Sequence, residues 1–203
     1  MILNNVLDNI FVNSANIAVL RALNERVAGI SGRETARLAG IGLRSAQIAL
    51  DNLVNLKVVN KQAGGREHLF SLNRKNYISN EIIAKLFVTE QKYKKSVLNE
   101  ITNSLSPLTD SVILFGSVAR KEELPDSDMD ICIVFKKNKS KIEKIVNALR
   151  DELYDKYGVT LAPFYITRKE FKKRAENQKS PVNEILTDGI IISGIKTKEL
   201  LNG

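Results

Sequence analysis

Residues 111–135 read SVILFGSVARKEELPDSDMDICIVF, and this stretch decides the fold. An apolar run, Val112 to Phe115, ends at Gly116-Ser117 and is followed by a polar loop. Asp128-Met129-Asp130 then opens a second apolar run, Ile131 to Phe135. Short apolar runs bounded by turn residues indicate buried β-strands. The stretch therefore predicts two strands joined by a glycine turn and a loop, with two alternating carboxylates at the second strand.

The two aspartates predict a divalent metal site. Residues i and i+2 of a strand point to the same face, so Asp128 and Asp130 should converge while Met129 is buried on the other side. Mg²⁺ prefers hard oxygen ligands and takes some of them from substrate phosphates. We therefore expect the pair to bind Mg²⁺, or Mn²⁺, with ATP or another nucleoside triphosphate. Both aspartates are the predicted catalytic residues of an in-line displacement at the α-phosphorus.

The glycine turn predicts the phosphate-binding half of the same site. Gly116 lets the backbone approach a phosphate closely. Successive N–H groups at a turn that leads into a helix favour an anion. Ser117 can add a hydroxyl donor, and Arg120 lies one turn further along. We predict that Gly116, Ser117, Arg120 and Ser127 bind the nucleotide.

These residues resemble a known family motif. The minimal members of the polymerase-β-like nucleotidyltransferase superfamily carry GSxARG, a variable loop and SDxDxxV, and this chain has Gly116 to Arg120 and Ser127 to Val134 in the same arrangement. The resemblance covers about residues 95–195. It implies transfer of a nucleoside monophosphate, with AMP as the expected group, to a hydroxyl acceptor. A protein such as the toxin of a toxin–antitoxin pair, a small molecule or a nucleic-acid end are the alternatives for that acceptor.

Two departures from the motif bear on activity. Lys121 replaces the glycine that follows the arginine. The family also carries a third carboxylate on a later strand, whereas the corresponding residues 158–164, GVTLAPF, include no acid and Glu170 lies beyond them. Loss of that acid would impair activation of the acceptor more than triphosphate binding. A domain that binds nucleotide without turning it over is therefore the alternative.

The N-terminal third predicts a second domain. Apolar residues from Ile17 to Ile30 recur at helical spacing, a short helix covers Arg33 to Ala39, and another covers roughly Arg44 to Leu56. A β-hairpin turning at residues 63–65 follows. This order resembles a winged helix-turn-helix domain over about residues 14–76, with GLRSAQIALDNLVNLKVV as recognition helix and entry to the wing. The predicted contacts with double-stranded DNA are Arg44, Ser45, Gln47, Lys61 and Arg66.

Charge supports a polyanionic partner without establishing one. The net charge is +8 and the isoelectric point about 9.5. Residues 1–76 hold ten Lys/Arg and five Asp/Glu, so they supply +5 of that charge. Winged helices also serve in dimerisation or protein docking, and that alternative remains open.

The composition excludes several other classes of protein. At 43% hydrophobic residues the chain is globular and not disordered, and its length suggests one or two domains. The single cysteine, Cys132, excludes an intramolecular disulfide, and the single histidine, His68, excludes a histidine metal cluster. We see no signal peptide and no apolar run of membrane-spanning length, and expect a soluble cytoplasmic protein.

The predicted organisation has three parts. A winged helix-turn-helix domain covers 1–76, a connecting helix with a role in dimer packing covers 77–106, and a nucleotidyltransferase-like domain covers 107–203. The fold class is α/β (α+β), with a mixed sheet flanked by helices in the last part. The elements expected after the decisive stretch are a helix to about Tyr157, a strand at 159–166, helices at 168–177 and 181–186, and a strand at 190–192. Two functions follow: a transferase fused to a DNA-binding domain, or a DNA-binding regulator whose degenerate domain only binds nucleotide.

Overall fold

The computed structural model describes residues 3–65 and 67–201. The chain divides into two compact units, Met1–Lys92 and Tyr93–Gly203. Helices and two β-sheets make up these units, which confirms the predicted mixed α/β class. In the part of the chain described, no helix is both long and apolar enough to cross a membrane.

The first unit consists of helices around a small antiparallel sheet. Its three strands lie in the order β1-β3-β2, and its core includes Leu20, Leu50 and Phe70. Its elements are α1 Val6–Ile10, α2 Ser14–Asn24, β1 Ile30–Ser31, α3 Gly32–Ala39, α4 Leu43–Asn55, β2 Val59–Gly64, β3 Glu67–Leu72 and a π-helical turn at Ser79–Ile83.

The first predicted helix is shorter than its apolar spacing indicates. The helix α2 ends at Asn24, and Val27, which the spacing placed on the apolar face, is 92% exposed. Ile30 lies in β1, where it pairs with Phe70 of β3. The apolar spacing continued past the end of α2 because Ile30 is partly buried in the sheet, where it packs against the core of the first unit. The prediction of a single helix through Ile30 was wrong.

A long helix, α5 (Ala84–Leu105), contains the boundary between the two units. In the first unit, Glu90 accepts two 2.7 Å hydrogen bonds from the Arg21 guanidinium, which also lies 5.4 Å from the centre of the Phe87 ring. These contacts tie the first part of α5 to α2.

The second unit has a four-stranded mixed sheet with helices on both faces. Its elements are β4 Ser111–Leu114, α6 Gly116–Arg120, β5 Met129–Phe135, α7 Lys139–Tyr157, β6 Leu161–Thr167, α8 Arg168–Glu176, α9 Val182–Asp188, β7 Ile190–Gly194 and α10 Thr197–Leu201. The strands lie in the order β6-β5-β4-β7, in which β5 and β6 are parallel and β4 is antiparallel to both β5 and β7. The predicted order holds from β4 to β7, and most boundaries move by one or two residues, but α10 follows β7 as an element that was not predicted.

Alternation along β5 separates the two faces of this sheet. Met129, Ile131 and Ile133 pack in one core with the later part of α5 and with α7. Cys132 and Val134 pack in the other core, together with residues of α8, α9 and α10. Asp130 alternates with the first set, so its side chain lies on the face covered by α8 and α9.

Candidate functional site

The predicted aspartates lie where β5 begins. Asp130 is the second residue of β5, and its backbone carbonyl accepts a 3.0 Å hydrogen bond from Phe115 N–H at the end of β4. Met129 is 6% exposed and packs on the opposite face, as expected. Asp128 is exposed and lies in the loop just before β5, not in the strand as predicted. The loop position leaves the Asp128 carboxylate in solvent beside the half-buried Asp130.

Gly116 lies directly against Asp130. Its φ of +73° is in the left-handed region that favours glycine. A Cβ atom at position 116 would collide with Asp130 Oδ2 and would lie 3.1 Å from its Cγ. The glycine turn and the aspartate strand therefore meet, as the sequence predicts, and only a residue without a side chain fits between them.

The electrostatics at Asp130 favour a cation. Burial raises the pKa of the Asp130 carboxyl, and the negative charges of Asp128 and Glu184 raise it further, while Arg120 opposes the change. Among the described residues, no group of three or more His, Cys, Asp or Glu side chains could hold a metal ion. A metal at Asp128 and Asp130 would thus need other ligands, and the oxygens of a triphosphate are suitable.

Ser117 and Arg120 lie on the short helix α6. The Ser117 carbonyl accepts a 2.9 Å hydrogen bond from the Glu122 N–H. The Arg120 guanidinium is 2.9 Å from Glu122 and 3.8 Å from Asp188 of α9, and the hydrogen bond to Glu122 is the main cause of the raised pKa of Arg120. Arg120 thus pairs with two carboxylates, of which only Asp188 lies on α9.

Lys121 explains how the chain departs from the glycine of the family motif. It caps the C-terminus of α6 with φ +61°, a left-handed conformation that glycine adopts at no steric cost. The backbone at Lys121 therefore makes the same left-handed turn that a glycine would make, although the Cβ of lysine disfavours this conformation.

Ser127 has a local role in the loop. Its hydroxyl oxygen accepts a 2.9 Å hydrogen bond from the Leu124 N–H, and Leu124 O accepts a 3.0 Å bond from the Ser127 N–H. The residue also borders a cavity of about 290 Å³ that Val118 and Met129 line. Met129 packs on the face of the sheet opposite Asp130, so Ser127 borders a cavity on that opposite side.

The strand beside Asp130 carries no acid. Asp130 is in register with Ala162 of β6, and none of residues 161–167 is acidic. Glu170 lies in the first turn of α8 and pairs with Arg174 at 3.2 Å. The position where a third carboxylate would adjoin the pair is therefore occupied by a methyl group.

Sequence reasoning missed two carboxylates on α9. Glu184 and Asp188 are four residues apart, a spacing that places both on one face of a helix. Asp188 reaches Arg120, and Glu184 acts electrostatically on Asp130. The spacing of Glu184 and Asp188 could have been recognised in the sequence, but the face of the sheet that α9 covers could not.

In the first unit, two of the five predicted DNA contacts, Arg44 and Gln47, border one cavity. Its volume is about 670 Å³, and it is lined by Gly32, Arg33, Leu43, Arg44, Gln47, Glu67, His68 and Phe70. Lys61 pairs with Phe70 on the hairpin and places its ammonium 5.9 Å from the centre of that ring. Ser45 is exposed on α4, and Arg66 lies outside the described residues. Arg33 and His68 were missed because the hairpin and the start of α3 meet only in the folded chain.

Comparisons with known proteins agree with the geometry of the second unit. A family model described as "Nucleotidyltransferase domain" matches residues 95–191. This part of the chain fits the polymerase-β-like superfamily, and such a domain implies a nucleoside triphosphate substrate and typically a divalent metal.

A solved structure described as "Crystal structure of the toxin-antitoxin with AMP-PNP" shows a remote likeness, with 18% identity and a TM-score of 0.36. The likeness covers 52% of this chain and 81% of that one. No curated protein matches the chain.

Proposed function

We propose that the second unit transfers a nucleoside monophosphate, with AMP as the expected group, from a Mg²⁺-bound triphosphate to a hydroxyl acceptor. The contact of Gly116 with Asp130 carries the proposal. That contact joins the glycine turn to the aspartates within a domain that matches the nucleotidyltransferase model. Asp128 and Asp130 would hold the metal, which neutralises the phosphates and orients the nucleophile when bound. Gly116, Ser117 and Arg120 would position the triphosphate.

The test separates binding from turnover. Purified protein is titrated with each of the four triphosphates in Mg²⁺ by calorimetry, and transfer from labelled triphosphate to components of a lysate is then followed. Asp128→Asn and Asp130→Asn should abolish both signals, whereas Asp126→Asn, an exposed acid in the preceding loop, should change neither. Unchanged binding by both site variants would refute the metal assignment.

A second function is favoured by one observation, the alanine in register with Asp130. Without a third carboxylate at Ala162, the domain would bind nucleotide and not transfer it, and the protein would be a regulator that senses the nucleotide. Ala162→Asp restores an acid at this position. If the parent binds triphosphate without transfer and the variant gains transfer, the domain is a binding module. Measurable transfer by the parent protein would instead show that the domain is a transferase.

We further propose that the first unit is a winged helix that binds double-stranded DNA. The support is its order of elements and the convergence of Arg44, Gln47 and Arg33 on one cavity. Arg44→Ala and Lys61→Ala should each weaken duplex binding and reduce the salt slope by about 0.9. Lys75→Ala, an exposed lysine away from that cavity, is the matched control.

Absence of duplex binding at low salt would assign the first unit to protein docking or dimerisation instead. The homodimer proposed for the connecting helix is tested by sedimentation of the whole chain. A concentration-independent monomer mass would reject it.

A further inference from the structure

A strongly basic segment lies on α8 and the residues after it. Residues 168–179 contain six Lys/Arg and two Asp/Glu, a net +4 within a chain of net +8. The net charge of this one segment of the second unit is therefore half as large as that of the whole chain. Neither the metal pair nor the predicted DNA contacts lie in this segment.

This segment borders a polar cavity. The cavity has a volume of about 450 Å³ and is lined by Glu170, Lys173, Arg174, Asn177 and Lys179. The guanidinium of Arg174 is fixed, since it lies 5.4 Å from the centre of the Phe164 ring and donates hydrogen bonds to Ser180 O and Glu170. Within the described residues, Lys173 and Lys179 are exposed and have no carboxylate partner within 4.0 Å.

The cavity, which we call the α8 basic cavity, opens on the same side of the sheet as Asp130. Phe164 is two residues beyond Ala162, which is in register with Asp130. One two-residue repeat spans about 7 Å, and neighbouring strands are about 4.8 Å apart. Ser180 also donates a 2.8 Å hydrogen bond to Glu184 of α9, whose charge acts on Asp130. By these spacings the backbone of Phe164 lies about 8–9 Å from that of Asp130, and Arg174 of the α8 basic cavity packs on the Phe164 ring.

The α8 basic cavity and the glycine turn lie on opposite sides of β5. Gly116 and Ser117 follow β4, which flanks β5 on one side, while α8 follows β6, which flanks β5 on the other. In an in-line displacement the nucleophile attacks opposite the leaving pyrophosphate. If the triphosphate lies at the glycine turn, the acceptor approaches from the β6 side, where the α8 basic cavity lies.

We propose that Lys173, Arg174 and Lys179 bind backbone phosphates of a single-stranded nucleic acid whose terminal hydroxyl is the acceptor. This inference rests on the proposed transferase function. The hydroxyl oxygen forms the new bond to the α-phosphorus, the bond to the bridging oxygen breaks, pyrophosphate leaves with the electron pair, and the hydroxyl proton passes to water. A strand end carries its hydroxyl one sugar away from a phosphate, which suits a phosphate site close to the metal pair.

The test measures strand binding by the whole chain without triphosphate. A short labelled single strand is titrated by fluorescence anisotropy at several salt concentrations. Lys173→Gln combined with Lys179→Gln should weaken binding about tenfold and lower the salt slope by about 1.4, which is 0.7 for each lost phosphate contact. Lys169→Gln, on the same helix but outside the cavity, should bind as the parent does.

Other results overturn the inference. Parental affinity in the double variant, or a matching loss in Arg44→Ala, would assign strand binding elsewhere. A loss of Mg²⁺–triphosphate affinity in the double variant would assign the α8 basic cavity to the donor nucleotide. Equal competition by an acidic peptide would reject the nucleic-acid class. Asp130→Asn should still bind the strand, so failure of the transferase proposal is distinguishable.

Discussion

Replacing Gly116 by alanine tests the geometry on which the site depends. The substitution adds one methyl group at a residue with φ +73°, and that methyl would overlap the carboxylate of Asp130. Two free-energy costs therefore add. One is the strained backbone at position 116, and the other is the displacement of the Asp130 side chain.

The magnitudes can be worked separately. A residue with a Cβ in the left-handed region costs about 1–2 kcal/mol. Displacing Asp130 from its rotamer by some 30° costs about 0.5–1.5 kcal/mol. The sum is about 1.5–3.5 kcal/mol, and for a unit of this size it corresponds to a fall of roughly 6–28 °C in unfolding temperature. Metal–triphosphate affinity should fall as well, because the displaced carboxylate is a proposed ligand.

Gly158→Ala provides the matched control. Gly158 has φ +65° at the end of α7, and a Cβ there would meet nothing within 4 Å. It should lose only the backbone part, so the two variants should differ by about 1 kcal/mol in calorimetry. In a double-mutant cycle, Asp130→Ala should recover most of that difference. Equal losses in both glycine variants, or no coupling to Asp130, would refute the reasoning.

Three further predictions concern charge and burial. Glu90→Gln should destabilise the chain by about 0.2–1 kcal/mol at neutral pH, because both partners are nearly half exposed. Since the hydrogen bond from Arg21 lowers the pKa of Glu90, this contribution is present above the ordinary carboxyl pKa and should vanish as pH falls through the lowered value. Burial raises the pKa of the Cys132 thiol to about 12, so a thiol reagent should react at mildly alkaline pH only after denaturation. Asp130→Asn should raise the unfolding temperature in metal-free buffer, because it removes a partly buried negative charge that Asp128 also repels. Mg²⁺ should reduce the difference in unfolding temperature between variant and parent.

Local sequence signals predicted the elements around the site. Apolar runs ending at Gly116 and beginning after Asp130 are short-range patterns, and both strands formed close to their predicted limits. The side of the sheet on which Met129 is buried also followed from strand alternation alone. Such features depend on residues that are close together in the sequence, so the sequence alone was sufficient to predict them.

Features that depend on contacts distant in sequence were not predictable. Ile30 kept helical spacing but joined a strand, because its partner Phe70 lies forty positions later. Asp188 and Glu184 approach the site only because α9 packs on the face that carries Asp130. No local pattern distinguishes that face from the opposite one, so the charges surrounding the aspartates had to come from the tertiary structure.

The mixed topology of the sheet gives the site two unlike sides. On the β4 side, a glycine brings backbone directly against Asp130, with no space for even a methyl group between them. On the β6 side, Ala162 leaves the carboxylate without an acidic neighbour, and beyond it the fixed Arg174 marks a basic cavity. A third acid at Ala162 would place negative charge between Asp130 and that cavity and would oppose the approach of a phosphate strand. If the acceptor is a polyanion, Ala162→Asp should therefore weaken binding of the nucleic-acid strand even if it increases the rate of transfer. Measuring strand binding by anisotropy and transfer by activity on this one variant separates the two effects.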